Sequence, residues 1–149
     1  MSQQDIENAR AGYAVMNEAY RRGDVDLMRP HLERFCDPAL VFEPAGVLPE
    51  STGTRHGFDG LLDFMAEQMK AFADGSMWID PVGVIEAGDW LVIPYRFGGR
   101  ARYTGLEVEF QFVHVFTQRD GLCVRLEVYP DKTAAFAALE ARGWSPAPT

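Results

Sequence analysis

No run of apolar residues in this chain approaches the ~20 that a membrane-spanning helix requires. Basic charge is short as well. Lys and Arg total 14 against 22 Asp and Glu, so the formal net charge is −8 at neutral pH. An acidic surface repels phosphate backbones, and no Lys/Arg cluster offsets it here. Neither nucleic-acid binding nor docking on anionic membranes is expected. Cysteine is scarce, and Cys36 and Cys123 stand far apart in sequence. They read as reduced, packing thiols of a cytoplasmic protein. Closely spaced Cys/His ligand pairs are lacking, so no zinc site is expected. The N-terminal "MSQQDIENAR" lacks the basic-then-apolar order of a signal peptide, which fits the same location. Phosphate loops, dinucleotide fingerprints and nucleophile elbows are missing. Any chemistry is therefore expected to use no cofactor and no metal.

What is present is ordinary globular material. Hydrophobic residues make up 47% and charged residues 24%. The length suits one domain with one core over residues 1–149, with 144–149 as a loose tail. Ile6, Ala9, Tyr13, Met16 and Tyr20 recur at the spacing of one buried helix face, which predicts a helix over 4–22. Gly23 ends it, and Asp24 is placed to cap a shorter helix through "VDLMRPHL", which Pro30 interrupts or restarts. "ALVFEP" reads as a short strand and "AGVLPESTGTRHG" as a loop. A helix is expected over 58–73, with Leu61, Leu62, Phe64, Met65, Met69 and Phe72 on its apolar face.

Strands then take over. "MWIDPVGVIEA" is a strand interrupted near Pro81, and Gly88-Asp89 marks a turn. "WLVIPYRFGGRARY" and "LEVEFQFVHVFTQ" follow, then a hairpin turn at Arg119-Asp120-Gly121, then "LCVRLEVY". A last helix over 131–142 ends at Gly143. Helices segregated from a run of antiparallel strands argue for an α+β fold, with helices on one face of a curved sheet.

Alternation locates candidate site residues. Leu106, Val108, Phe110, Phe112, His114 and Phe116 share one strand face, so His114 is the titratable group on an apolar stripe. It either sits satisfied in a core or offers a hydrogen bond to a ligand. On the last strand Leu126 and Val128 share a face, opposite Cys123, Arg125, Glu127 and Tyr129. Tyr95 and Phe97 share a face with Leu91 and Ile93, and Tyr95 brings a hydroxyl into an apolar wall. Glu43 ends an apolar strand before Pro44. It is either a working carboxylate at a pocket lip or the polar end of a strand. His56 reads as structural and His31 as a helix-surface residue without signal.

"HVFTQRDGLCVRLEVYPDKTAAFAAL" resembles the C-terminal signature of SnoaL-like proteins, in which an aromatic strand, a DG turn and an apolar strand lead into an Ala-rich helix. "AYRRGDVDLM" resembles the family's first helix-to-helix turn, and "LVFEPAG…HGFDGLLDFM" the strand, loop and helix that follow. The likeness covers roughly residues 5–143 and implies the nuclear transport factor 2-like superfamily. It implies a cone, a strongly curved and mostly antiparallel sheet wrapped around N-terminal helices, with a cavity at its open end. It also implies a homodimer. In the register of ketosteroid isomerase, Glu43 takes the position of the general base. Met16 stands at the oxyanion-hole Tyr position. Val113 or, with a bulge, His114 stands at that of the protonated Asp. Cyclases and epoxide hydrolases of the same fold place an Asp on the last strand, where this chain has Val128.

The resulting expectation is cofactor-free acid–base chemistry on a small hydrophobic carbonyl compound: isomerisation, cyclisation or dehydration. Glu43 and His114 are the expected catalytic pair. Tyr13, Met16, Tyr20, Tyr95, Phe97, Phe110, Phe112, Leu126 and Val128 are the expected substrate-binding residues. The alternatives are a non-catalytic binder of small hydrophobic ligands and a partner-docking dimer with a filled cone.

Overall fold

The computed structural model describes residues 3–44 and 53–146. Most of the expected loop at "AGVLPESTGTRHG" and the end of the expected tail lie outside the described residues. Helix α1 (Gln3–Arg22) buries Ile6, Ala9, Gly12, Tyr13, Ala19 and Tyr20. That is the stripe its periodicity predicts. Met16 is only half buried, because it borders a cavity. Asp24 caps a 3-10 turn at Val25–Met28, its carboxylate accepting from the Asp26 N–H. Helix α2 (Arg29–Phe35) follows directly. Pro30 stands in its first turn, where a missing N–H breaks no helical bond, so it starts this helix. Helix α3 (Gly57–Met69) buries Leu61, Leu62, Phe64 and Met65. It stops short of the expected end, and Phe72 instead bridges to Ala101.

The strands are β1 (Cys36–Glu43), β2 (Arg55–His56), β3 (Trp78–Pro81), β4 (Ile85–Ala87), β5 (Trp90–Arg100), β6 (Glu107–Arg119) and β7 (Leu122–Tyr129). Among the described residues they form one sheet in the order β2-β1-β7-β6-β5-β3, with β4 also on β5. The β1–β7 pair is parallel and the other pairs are antiparallel. Asp120 and Gly121 both have positive φ (54° and 80°), the requirement of a type I′ hairpin between β6 and β7. At Gly98 a Cβ would stand 2.2 Å from the Val108 carbonyl oxygen, so β5 and β6 approach there only because residue 98 has no side chain.

The fold is α+β, a curved and unclosed sheet with the first three helices on its concave side. Leu91, Ile93, Tyr95 and Phe97 of β5 face those helices, together with Phe42, Leu126 and Val128. Each such fully buried Leu or Phe contributes roughly 1.5–3 kcal/mol. Asn17 ties α1 to the sheet edge, donating to the Ile79 carbonyl (2.7 Å) and accepting from the Ile79 N–H (2.8 Å).

Helix α4 (Lys132–Ala141) covers part of the convex side, where Ala135 and Leu139 pack on Val92, Val113 and Val115. This explains why the outward face of β6 turns apolar at Val113 and Val115. Arg142 donates twice to the buried Glu127 carboxylate (2.7 and 2.6 Å), and the Tyr129 hydroxyl donates a third bond (2.6 Å). Burial pushes the Glu127 carboxyl up, but these donors outweigh it and hold it below its ordinary value.

One register shift alters a face assignment. Thr117 pairs with Arg125, yet Gln118 pairs with Cys123, so Val124 is an extra residue. Strict alternation sets Cys123 opposite Leu126 and Val128. The bulge instead turns Cys123 onto the concave face with them.

Candidate functional site

The concave side encloses a cavity of ≈ 100 Å³. Met16 and Tyr20 of α1, His31 and Leu32 of α2, and Phe64 and Met65 of α3 form one side. Phe42, Tyr95, Phe97, Phe112, His114, Phe116, Cys123, Leu126 and Val128 of the sheet form the other. The wall is mostly apolar, with a few polar groups set into it, as in small-molecule sites.

His114 is the central polar group. Its neighbours in register are Ile93 and Val128, which puts its ring on the concave face at 6% exposure. The Tyr95 ring stacks against it, with centroids 3.9 Å apart and planes at 20°. Burial pushes its pKa down to about 3, so the imidazole is neutral at pH 7. The Tyr13 hydroxyl stands 2.8 Å from Nδ1. Burial also raises the Tyr13, Tyr20 and Tyr95 hydroxyls above their ordinary values, so all three keep their protons.

The tautomer follows. A buried O–H left without an acceptor costs about 1–3 kcal/mol. Among the described residues, His114 Nδ1 is the partner of the Tyr13 hydroxyl. Tyr13 therefore donates to Nδ1, and the ring proton resides on Nε2. The ring edge that borders the cavity thus presents an N–H donor. Among the described residues no hydrogen bond engages the hydroxyl of Tyr20 or Tyr95, and both residues border the same space.

His31 is a second histidine in the wall. It is half buried, and its ring centroid lies 4.8 Å from that of Phe35. A Cβ at residue 12 would stand 3.0 Å from His31 Nε2, so Gly12 makes room for the ring against α1. Burial lowers its pKa from the ordinary value, leaving it neutral at pH 7. The expectation of an uninformative surface residue is corrected here. The only hint in the sequence is a glycine within the buried stripe of α1.

Glu43 stands elsewhere. Phe42 pairs with Leu126 and Glu43 with Glu127. Phe42 and Leu126 point inward, so the next residue on each strand points outward. The Glu43 carboxylate accepts from the Thr54 hydroxyl at 2.8 Å and lies 3.5 Å from the Arg125 guanidinium. The structure thus separates Glu43 from His114, and Glu43 is not among the cavity-lining residues. Two of the expected substrate contacts are also displaced. Phe110 is 39% exposed and stacks on Phe97 outside the lining. Tyr13 is not among the lining residues; its hydroxyl lies on His114 Nδ1. Met16, Tyr20, Tyr95, Phe97, Phe112, Leu126 and Val128 border the cavity together.

Among the described residues, no three His, Cys, Asp or Glu side chains cluster to hold a metal ion, and no helix is long and apolar enough to cross a membrane.

Similarities to known proteins agree with this architecture. TerC, solved as a co-crystal with polyporic acid, is 26% identical, with 91% of this chain and 98% of that chain covered at a TM-score of 0.66. An NTF2-like protein of unknown function from Burkholderia pseudomallei is 24% identical over 92% and 97% of the two chains, with a TM-score of 0.66. A protein from Jannaschia, provisionally described as a SnoaL-like polyketide cyclase, shares the fold at 18% identity and a TM-score of 0.68, over 95% and 96% of the chains. Among curated proteins none matches the sequence. The SnoaL-like domain family matches residues 13–126, most of the chain. By that match, and by a curved, unclosed sheet over an apolar cavity, the chain belongs to the SnoaL-like domain family.

Proposed function

We propose that the cavity is the active site of a cofactor-free enzyme that moves protons on a small hydrophobic carbonyl compound, by isomerisation, cyclisation or dehydration. The observation that carries this reading is the neutral His114 ring with its Nε2–H directed at an apolar cavity. A substrate carbonyl oxygen accepts from Nε2–H while an aromatic or aliphatic body fills the space between Phe97, Phe112 and Leu126. As a proton leaves the neighbouring carbon, charge grows on that oxygen. A fixed neutral donor in a dry site stabilises this charge without reorganising. His31, neutral and in the same wall, is the group assigned to receive the proton. Membership of a family that includes polyketide cyclases and isomerases supports this reading, as does the co-crystal of TerC with polyporic acid.

A second reading is a non-catalytic binding protein with the same pocket. One observation favours it: Asp5 is the single carboxylate among the described lining residues, and Glu43 is outside.

The two separate in one experiment. Aryl ketones and 1,3-dicarbonyls are incubated with the protein in D₂O, and deuterium uptake next to the carbonyl is followed by NMR. The enzyme reading expects accelerated uptake or a new product. His114→Phe should slow either by about 10²–10³-fold, the usual loss for one oxyanion donor. Compounds that raise Tm yet neither exchange nor change would establish the binder.

A further inference from the structure

Cys36 opens β1 and Cys123 lies near the start of β7. The two are register partners across the parallel β1–β7 pair. Partners on adjacent strands point the same way, and both side chains border the cavity. Both are free thiols, Cys36 partly exposed and Cys123 buried. Facing positions on neighbouring strands fall within the Cα separations of about 4.4–6.8 Å that a disulfide spans. The ladder around them is irregular. After Cys36–Cys123 the next β1–β7 pair is Val41–Arg125, and Val124 bulges against β6. Backbone in such a stretch adjusts more readily than a regular ladder does.

The two sulfurs are also unequal. The Cys123 thiol donates to the Arg125 carbonyl (3.4 Å). The neighbouring Cys123 holds the Cys36 thiol below its ordinary value, while Cys36 and burial together push Cys123 up. Cys36, the more exposed, is therefore the better thiolate, with Cys123 poised behind it.

We propose that Cys36 and Cys123 form a redox-active dithiol site in the cavity wall, whose co-substrate is a small-molecule disulfide. The Cys36 thiolate attacks one sulfur of the disulfide RSSR. The S–S bond breaks, and one thiol leaves as RSH with the proton that Cys36 gave up. Cys123 then attacks the Cys36 sulfur of the mixed disulfide, and the second RSH leaves with the Cys123 proton. The protein loses two electrons and two protons to form Cys36–Cys123, and RSSR becomes two RSH. The new bond ties β1 to β7 and closes most of the chain into a loop, which stabilises the fold.

The test uses the full chain, reduced and then titrated with oxidised glutathione without air. Intact mass and free-thiol counts are followed, with peptide mapping after alkylation. The expected result is loss of both thiols in a monomer-sized species about 2 Da lighter, reversal by dithiothreitol, and a linked Cys36–Cys123 peptide. Tm should rise on oxidation and fall back on reduction. Cys123→Ser should stop at a glutathione adduct on Cys36. The proposal is overturned if native protein keeps both thiols under conditions in which the urea-unfolded chain reacts, or if a stable Cys36 adduct forms in the wild type. Peptide mapping of the wild type decides the matter even if the variants fail to fold. None of these readouts depends on the carbonyl substrate.

Discussion

The Tyr13 hydroxyl and His114 Nδ1 stand 2.8 Å apart, joining the first helix to the sixth strand across 101 positions of sequence. This one bond sets which edge of the imidazole carries the proton. Tyr13→Phe keeps the ring and removes the donor. It should cost about 1–3 kcal/mol of stability in urea unfolding, because Nδ1 is left buried without a partner. It should also lower turnover or ligand affinity, since the Nε2–H tautomer is no longer enforced.

Acid should destabilise the fold through His114. Its folded-state pKa of about 3 lies below the ordinary histidine value of 6.5. Between those pH values the unfolded chain binds a proton that the folded chain does not. Stability therefore rises with pH across that window and is lost as pH falls through it, by up to roughly 5 kcal/mol. His31 adds in the same direction. His114→Phe should flatten most of the slope between the carboxylate range and pH 6.5, measured as unfolding free energy against pH.

Glu43→Gln should leave cavity function within about threefold of wild type and stability within ~1 kcal/mol, as for a part-exposed ion pair. The motive is its placement beside Thr54 and Arg125, away from the cavity. Parallel assays of Glu43→Gln and His114→Phe check this. A loss at Glu43 equal to that at His114 would mean that the carboxylate reaches the substrate.

Arg142→Met should destabilise the protein by about 3–5 kcal/mol, because it leaves Glu127 buried with its main cation removed. The double change Glu127→Leu with Arg142→Met should recover much of that loss. Denaturant titrations of the two variants give the comparison.

Gly12→Ala should act on the cavity through His31. The added methyl would stand 3.0 Å from Nε2, so the ring has to give way by a few tenths of an ångström. A shifted His31 resonance with an unshifted His114 resonance is the expected NMR signature. Turnover should fall more than stability does.

Much of this architecture is legible in one sequence because it rests on short-range rules. The stripe of α1, Pro30 at a helix start, the Asp-Gly hairpin and the caps at Asp24 and Gly143 are local signals. Alternation along β6 carries His114 to the concave face. The same alternation, applied to β1, turns Glu43 outward once Phe42 is taken as inward, so family register and strand periodicity disagree there and periodicity prevails. Three features have no local signal. Val124 reads as an ordinary strand residue, yet its bulge moves Cys123 to the cavity. His31 sits on a seven-residue helix, and its neighbour is Gly12 on another element. The Cys36–Cys123 pairing depends on a parallel crossover that neither cysteine marks.

The most direct measurement is a long-range ¹H–¹⁵N spectrum of the histidine-labelled protein at pH 7, alone and with an aryl ketone that raises its Tm. A neutral His114 protonated on Nε2, whose Nε2 signal moves on ligand addition, is the result expected here. A charged ring, a proton on Nδ1, or an Nε2 signal unmoved by a ligand that binds in the cavity would contradict it.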